Sequence, residues 1–218
     1  MRHEVIDAVY ANKVIAIIRG FEPDVCVKLA EAYYAGGIRL VEVTFPQAKP
    51  EDQPKTAAAI KAMAESLDGR VFPGAGTVLT RAQLHMAKDA GARYVVMPSV
   101  NVDIIKEAKD LGLVTMPGAL SPTEAVTAFE AGADFVKLFP AGTMGPKYMK
   151  DLRAPLAHIP FLAVGGITLD NIGEFMKVGA VGAGVGGQLS NKDLIAAGAW
   201  DKITEIARGL TKAAGVGV

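Results

Sequence analysis

Gly112-Leu113-Val114-Thr115-Met116-Pro117 and Gly132-Ala133-Asp134-Phe135-Val136-Lys137-Leu138-Phe139 decide the fold. Each stretch opens on a glycine where an alanine-rich helical pattern stops, and each continues as a short strand-forming run. The two glycines lie 20 residues apart, and Gly91, ahead of Tyr94-Val95-Val96-Met97, lies 21 residues before Gly112. Gly69 takes the preceding step of the series, and Gly37 and Gly179 end further helical patterns. A glycine just past a helix is the expected left-handed cap.

Strands are expected at Val14-Ile18, Leu40-Phe45, Val71-Gly76, Tyr94-Met97, Val114-Pro117, Phe135-Phe139, Phe161-Val164 and Ala180-Val185. Helical patterns follow at Pro23-Ala35, Lys55-Ser66, Arg81-Ala90, Val102-Leu111, Pro122-Ala131, Lys147-Leu156, Leu169-Val178 and Trp200-Ala214. Alternating strands and helices with short connections predict a parallel sheet. Eight such pairs in 218 residues predict an α/β fold, a closed (β/α)8 TIM barrel, as one domain over residues 1-218 with a short N-terminal helix. The alternative is an open doubly wound sheet, which more often carries a glycine-rich dinucleotide fingerprint after its first strand. Here that turn reads Arg19-Gly20-Phe21-Glu22. The stretch from Pro46 to Pro54 is a polar, proline-rich loop rather than a domain boundary.

Lys+Arg and Asp+Glu both number 23, so the formal net charge is zero and nothing favours a nucleic-acid or membrane-surface partner. An anionic small molecule must be held by local groups. The single cysteine, Cys26, excludes an internal disulfide framework and fits a reducing compartment. Met1 to Asn12 is polar and lacks the apolar core of a signal peptide. The apolar runs have strand length, too short for a membrane helix. These features together predict a cytoplasmic protein.

Strand alternation puts Phe135, Lys137 and Phe139 on one face and Val136 and Leu138 on the other. An ammonium between two aromatics is costly to bury charged. Desolvation lowers a lysine's pKa, and the neutral amine is a nucleophile toward carbonyl carbon. The plainer reading is a lysine reaching the barrel rim or paired with a carboxylate. In a barrel of this kind the site lies at the C-terminal strand ends. Strand one ends there in Arg19, strand two carries Glu42 and Thr44 inward, and strand three ends in Gly74-Ala75-Gly76-Thr77. The last two strands end in Gly165-Gly166 and Gly186-Gly187, whose bared N–H groups suit a phosphate. Arg19 also fits a pairing with an acidic helix start, Glu42 a structural partner for Lys137, and the glycine pairs plain tight turns. His3, His85 and His158 are too dispersed for a metal site, so no metal is expected.

Gly37-Ile38-Arg39-Leu40-Val41-Glu42-Val43-Thr44-Phe45, Gly74-Ala75-Gly76-Thr77-Val78 and Phe135-Val136-Lys137-Leu138-Phe139-Pro140-Ala141 resemble signatures of the keto-hydroxyglutarate / keto-deoxy-phosphogluconate aldolases, from about Val14 to Gly187. The resemblance implies a class I aldolase, a cytoplasmic homotrimer that needs no cofactor and cleaves a 2-keto-3-deoxy-6-phospho sugar acid to pyruvate and glyceraldehyde 3-phosphate. A second expected substrate is 4-hydroxy-2-oxoglutarate. It implies Lys137 as the Schiff-base residue, Glu42 as general acid/base, and Arg19 and Thr77 on the carboxylate region. Pro98 and Phe139 then line the keto-acid pocket, and Gly165, Gly166, Gly186 and neighbouring amides hold the phosphate.

Three positions depart from the family pattern. Pro46 replaces an arginine four residues after the glutamate. Gly187 replaces a serine that supplies a hydroxyl to the phosphate. Val164 stands where gluconate-type members have threonine, and resembles the galactonate-type enzymes. The rivals are another phosphate-binding barrel enzyme, such as a sugar-phosphate epimerase or isomerase, and an inactive barrel serving as a binding module. The former needs a metal or a second acid/base, and the Glu42–Lys137 pair argues against the latter.

Overall fold

Nine short parallel strand segments make eight barrel staves. The computed structural model describes residues 2–217. The segments are β1 (Val14–Ile18), β2 (Leu40–Thr44), β3 (Phe72–Gly76), β4 (Tyr94–Val96), β5 (Val114–Met116), β6 (Gly118–Ala119), β7 (Val136–Leu138), β8 (Phe161–Val164) and β9 (Gly182–Val185). They pair in the order β5-β4-β3-β2-β1-β9-β8-β7-β6. β5 and β6 are one run of chain divided at Pro117, which has no N–H for a ladder. β5 pairs with β4, and β6 pairs with β7. Across this seam Phe135 donates its N–H to the Thr115 carbonyl at 3.2 Å and Lys137 to the Pro117 carbonyl at 2.8 Å. The sheet is thereby closed into a barrel.

Each stave leads into a helix: α2 (Pro23–Ala35), α3 (Gln53–Ser66), α4 (Arg81–Asp89), α5 (Val102–Asp110), α6 (Pro122–Glu130), α7 (Ala141–Arg153), α8 (Ile172–Lys177) and, after the short α9 (Lys192–Ala196), α10 (Trp200–Ala213). α1 (Arg2–Asn12) precedes β1. Local chemistry explains the starts. Thr80 with Gln83 and Ser121 with Glu124 form capping boxes, and Asn101 accepts from the Ile104 N–H at 3.2 Å. The stops are as read: Gly37, Gly91, Gly112, Gly132 and Gly179 have φ between 78° and 98°. α7 differs from expectation, beginning at Ala141 rather than Lys147. Gly145 interrupts it at φ 78°, ψ 164°, just before Pro146, so the regular helix still starts where the sequence pattern does.

Alternation sorts the strand residues into two layers. Val41, Val43, Val95, Val136, Leu138, Ala163 and Val185 face the helices. Ile15, Leu40, Tyr94, Val96, Val114, Met116, Phe135, Leu162 and Val164 fill the barrel interior. Val5, Ala8 and Val9 of α1 join that inner cluster and plug the end where the strands begin. Ion pairs Arg2–Asp134 and Arg93–Glu4 fasten α1 there. At the opposite ends of β1, β2 and β3 stand Arg19, Thr44 and Thr77. No helix among the described residues is long and apolar enough to cross a membrane.

Candidate active site

Inside this apolar barrel sit two charged side chains, Glu42 and Lys137, with relative exposures of 3% and 7%. Glu42 is the central residue of β2 and faces inward between Leu40 and Thr44. Lys137 is the central residue of β7. Both line a cavity of about 10 Å³, space for a single water-sized molecule, whose other walls include Ile17, Met116, Leu162 and Val164. Among the described residues no ion pair joins the two. Each acts on the other through space, in surroundings that solvate neither.

Burial is the leading influence on both. It pushes the Glu42 carboxyl up to about 7, against opposing pulls from Lys137 and then Arg19. It pulls the Lys137 ammonium below its usual range, with Glu42 opposing and Arg19 assisting. The carboxylate is thus poised near neutrality, and the lysine surrenders its proton more readily than an exposed one. The Lys137 Nζ stands 4.7 Å from the centroid of the Phe139 ring, a cation–π contact when the amine is charged. Phe139 is 37% exposed and forms part of the mouth.

β3 makes the room for these groups. A Cβ on Gly76 would fall 2.8 Å from Thr44 Cγ2 and 3.0 Å from Glu42 Oε1. A Cβ on Gly74 would fall 2.3 Å from Tyr94 Cζ. Glycine inside a strand marks such a close approach. The signal was therefore present in the sequence, although Tyr94 itself reads as ordinary core. Glu42 Oε2 and the Tyr94 hydroxyl are both buried without a hydrogen-bond partner.

Arg19 and Thr77 frame the next part of the mouth. Arg19 Nε donates to Thr44 Oγ1 at 3.3 Å, and the arginine is otherwise exposed. Thr77 has φ 57°, a strained conformation for a β-branched residue and one that clusters at functional positions. Gln47 Nε2 donates to the Thr77 carbonyl at 2.9 Å, and Gln83 in turn donates to Gln47 Oε1 at 3.2 Å. No sequence feature announced that clamp. Arg19, Thr44, Pro46, Gln47 and Thr77 line a larger cavity of about 560 Å³ that opens from this side.

The remaining expected residues sit around the same rim. Val164 is 5% exposed and lines the Lys137 cavity. Pro98 lies at the end of β4, its carbonyl oxygen so close to Gly118 that a Cβ there would be 2.4 Å away. Gly165 and Gly166 take φ of 90° and 72°, and a Cβ on Gly165 would touch the Phe139 ring at 3.0 Å. Turn geometry and packing alone therefore require glycine in that pair. The second pair differs. Gly186 has only ordinary contacts with Ile17, and a Cβ on Gly187 would meet nothing within 4 Å. Contacts link Gly165 to Phe139, Phe139 to Lys137, and Arg19 to Thr44. Pro98 and Gly187 are not among the residues that line the Lys137–Glu42 cavity. Among the described residues, no cluster of three or more His, Cys, Asp or Glu side chains is arranged to hold a metal.

The family model for KDPG and KHG aldolase matches residues 5–206. A 2-dehydro-3-deoxy-6-phosphogalactonate aldolase of Escherichia coli is 35% identical over 176 residues, 80% of this chain and 83% of that one. A 2-dehydro-3-deoxy-phosphogluconate aldolase of Treponema pallidum is 34% identical over 217 residues, 97% of this chain and 98% of that one. Among solved structures, the KDPG aldolase of Legionella pneumophila, with pyruvate captured at low pH as a covalent carbinolamine intermediate, superposes with a TM-score of 0.84. It is 26% identical, over 94% of this chain and 97% of that one.

Proposed function

Since the chain belongs to the KDPG and KHG aldolase family, we propose that it is a Schiff-base aldehyde-lyase that cleaves a 2-keto-3-deoxy-6-phospho sugar acid to pyruvate and glyceraldehyde 3-phosphate. One observation carries the reading: Lys137 and Glu42 line one water-sized cavity inside the barrel, burial shifting both toward neutrality.

The neutral Lys137 amine adds to the C2 ketone, and Glu42 moves protons as the carbinolamine loses water to give an iminium. Glu42, ionised, then takes the C4 hydroxyl proton. The C4–O pair becomes the aldehyde carbonyl, the C3–C4 bond breaks, and its electrons enter the iminium to form an enamine. Protonation at C3 and hydrolysis release pyruvate and restore the lysine. Proton transfer by a placed side chain is worth ~10²–10⁴-fold and works best with a pKa near the working pH. The value of about 7 for Glu42 meets that condition. Arg19 and Thr77 hold the C1 carboxylate in this reading. Phe139 and Pro98 wall the keto acid, and the amides of Gly165, Gly166, Gly186 and Gly187 receive the phosphate. Val164 faces the C4 side. 4-Hydroxy-2-oxoglutarate, cleaved to pyruvate and glyoxylate, is the unphosphorylated substrate of the same site.

Borohydride reduction in the presence of pyruvate, followed by peptide mass spectrometry, tests the reading. A reduced adduct on Lys137 is expected, and its absence with intact protein refutes the imine. A cytoplasmic homotrimer is proposed on the resemblance alone, and light scattering on the purified protein tests the trimer.

A further inference from the structure

Glu42, Gly74 and Tyr94 stand in one row. Glu42 pairs in register with Gly74 across β2 and β3, and Gly74 pairs with Tyr94 across β3 and β4. All three positions face the barrel interior, so neighbours two strands apart look at each other wherever the residue between them has no side chain. Gly74 is that gap. The distal end of the Tyr94 ring fills it, its Cζ lying 2.3 Å from where a Gly74 Cβ would be and its Cε atoms at 2.4 and 2.6 Å. The phenol therefore reaches from its own strand across β3 to the side on which Glu42 stands. Both polar ends are fully enclosed, and both Tyr94 Oη and Glu42 Oε2 are without a partner. Two enclosed oxygens on facing side chains, one a donor and the other an acceptor, are each costly alone and complementary together.

We propose that Tyr94 is a positioning residue for Glu42: its hydroxyl, carried over Gly74, donates to the ionised carboxylate and holds it in place to take the substrate proton. The inference rests on the aldolase reading of Glu42. A carboxylate's terminal torsion is soft, so a rotation turns Oε2 toward the phenol without moving the backbone. Burial, and then the neighbouring Glu42 charge, push the Tyr94 phenol far above its usual range, so it stays a donor throughout the working pH. The charged groups that act on Glu42 are Lys137 from β7 and Arg19 from the end of β1, with Tyr94 facing it from β4. Lys137 and Arg19 favour the ionised carboxylate by charge. Tyr94 favours it by a hydrogen bond, the influence that a single oxygen deletion removes.

The test is Tyr94→Phe in the full chain, which keeps the ring and deletes only the hydroxyl. The kcat/KM for cleavage of 2-keto-3-deoxy-6-phosphogluconate is followed against pH, because its acid limb reports the free enzyme's essential base. Loss of a donor to the carboxylate raises its pKa. The limb should therefore move up by about half a pH unit or more, roughly threefold in rate on the falling side. In a Glu42→Gln background the same change should leave the residual profile where it was. A limb that stays put in Tyr94→Phe overturns the proposal, as does an equal movement in the Glu42→Gln background, which would assign the effect to Lys137. Borohydride trapping of pyruvate accompanies both proteins. Trapping in wild type and variant with no movement of the limb sinks this inference alone. Failure to trap in wild type sinks the aldolase reading, and this inference with it.

Discussion

Glu42→Gln should make the protein more stable at neutral pH than at acid pH relative to wild type, while removing most turnover. Burial sets the sign: 3% of Glu42 is exposed, and its carboxyl is pushed from 4.5 to about 7. A folded-state pKa above the unfolded one means that the unfolded chain ionises first as pH rises. The stability is whole below about 4.5 and is lost progressively until the folded carboxyl ionises near 7. At ~1.4 kcal/mol per pH unit the whole loss is ~3 kcal/mol, of which ~2 kcal/mol or more falls between pH 5 and 8. Glutamine does not titrate and is spared it. Lys137 does not reverse the sign. Its folded pKa is depressed, so its contribution grows with rising pH, and removing the carboxylate that supports its charge only extends that growth. The assay is urea unfolding of both proteins at several pH values and one protein concentration, with equal m-values required before midpoints are compared. The gap should widen from pH 5 to 8 in favour of the variant, by ~2–3 kcal/mol. A gap constant across that range means that Glu42 titrates at its ordinary value, and the argument that burial tunes it falls.

Lys137→Ala should abolish cleavage and borohydride trapping, because among the described residues no second inward amine lines the cavity; near-wild-type turnover would refute the imine. Gly187→Ser should be accepted without strain, since nothing lies within 4 Å of its Cβ, and one more hydrogen bond to a charged phosphate, worth ~1.5–3 kcal/mol, should raise kcat/KM for phosphorylated substrate by ~10-fold or more. The unphosphorylated 4-hydroxy-2-oxoglutarate should not respond, and equal gains on both acids would dismiss the phosphate site. Val164→Thr should shift the ratio of kcat/KM between the gluconate and galactonate epimers, as its side chain borders the Lys137 cavity; an unchanged ratio removes Val164 from specificity. Gly76→Ala should cost ~10²-fold in kcat with the barrel's circular dichroism retained, because the added methyl must displace Thr44 or Glu42. Turnover within a few-fold of wild type would show that the carboxylate tolerates the shift.

The sequence exposed those parts of the site that obey simple periodicities. Alternation alone turned Lys137 and Glu42 inward, because β7 and β2 are regular strands. The glycine stops marked the repeat because each sits at a helix end with left-handed φ. What escaped is what depends on geometry between staves. Tyr94 reads as one more strand aromatic until the register places it beside Gly74. The strain at Thr77 and its clamp by Gln47 are made by a loop meeting the end of another strand, and no local pattern encodes that. The glycine pairs looked equivalent as sequence, yet packing requires glycine at Gly165, whereas Gly187 is sterically open.

β3 shows why the carboxylate could be placed here at all. A barrel of this size fills its interior with layers of bulky side chains. β3 has glycine at two successive inward positions, Gly74 and Gly76, opposite Glu42 and Thr44. The volume given up is taken by a phenol ring and a carboxylate, one inert to titration and the other poised near neutrality. Alanine would improve strand propensity, but at Gly76 it would push on Glu42, the proposed base, and on Thr44, and at Gly74 on the Tyr94 ring. The two glycines, the raised carboxyl and the depressed lysine thus belong to one arrangement. Stability is surrendered inside the barrel so that a carboxylate and an amine, each shifted toward neutrality by the same burial, can share one small cavity without neutralising each other as an ion pair.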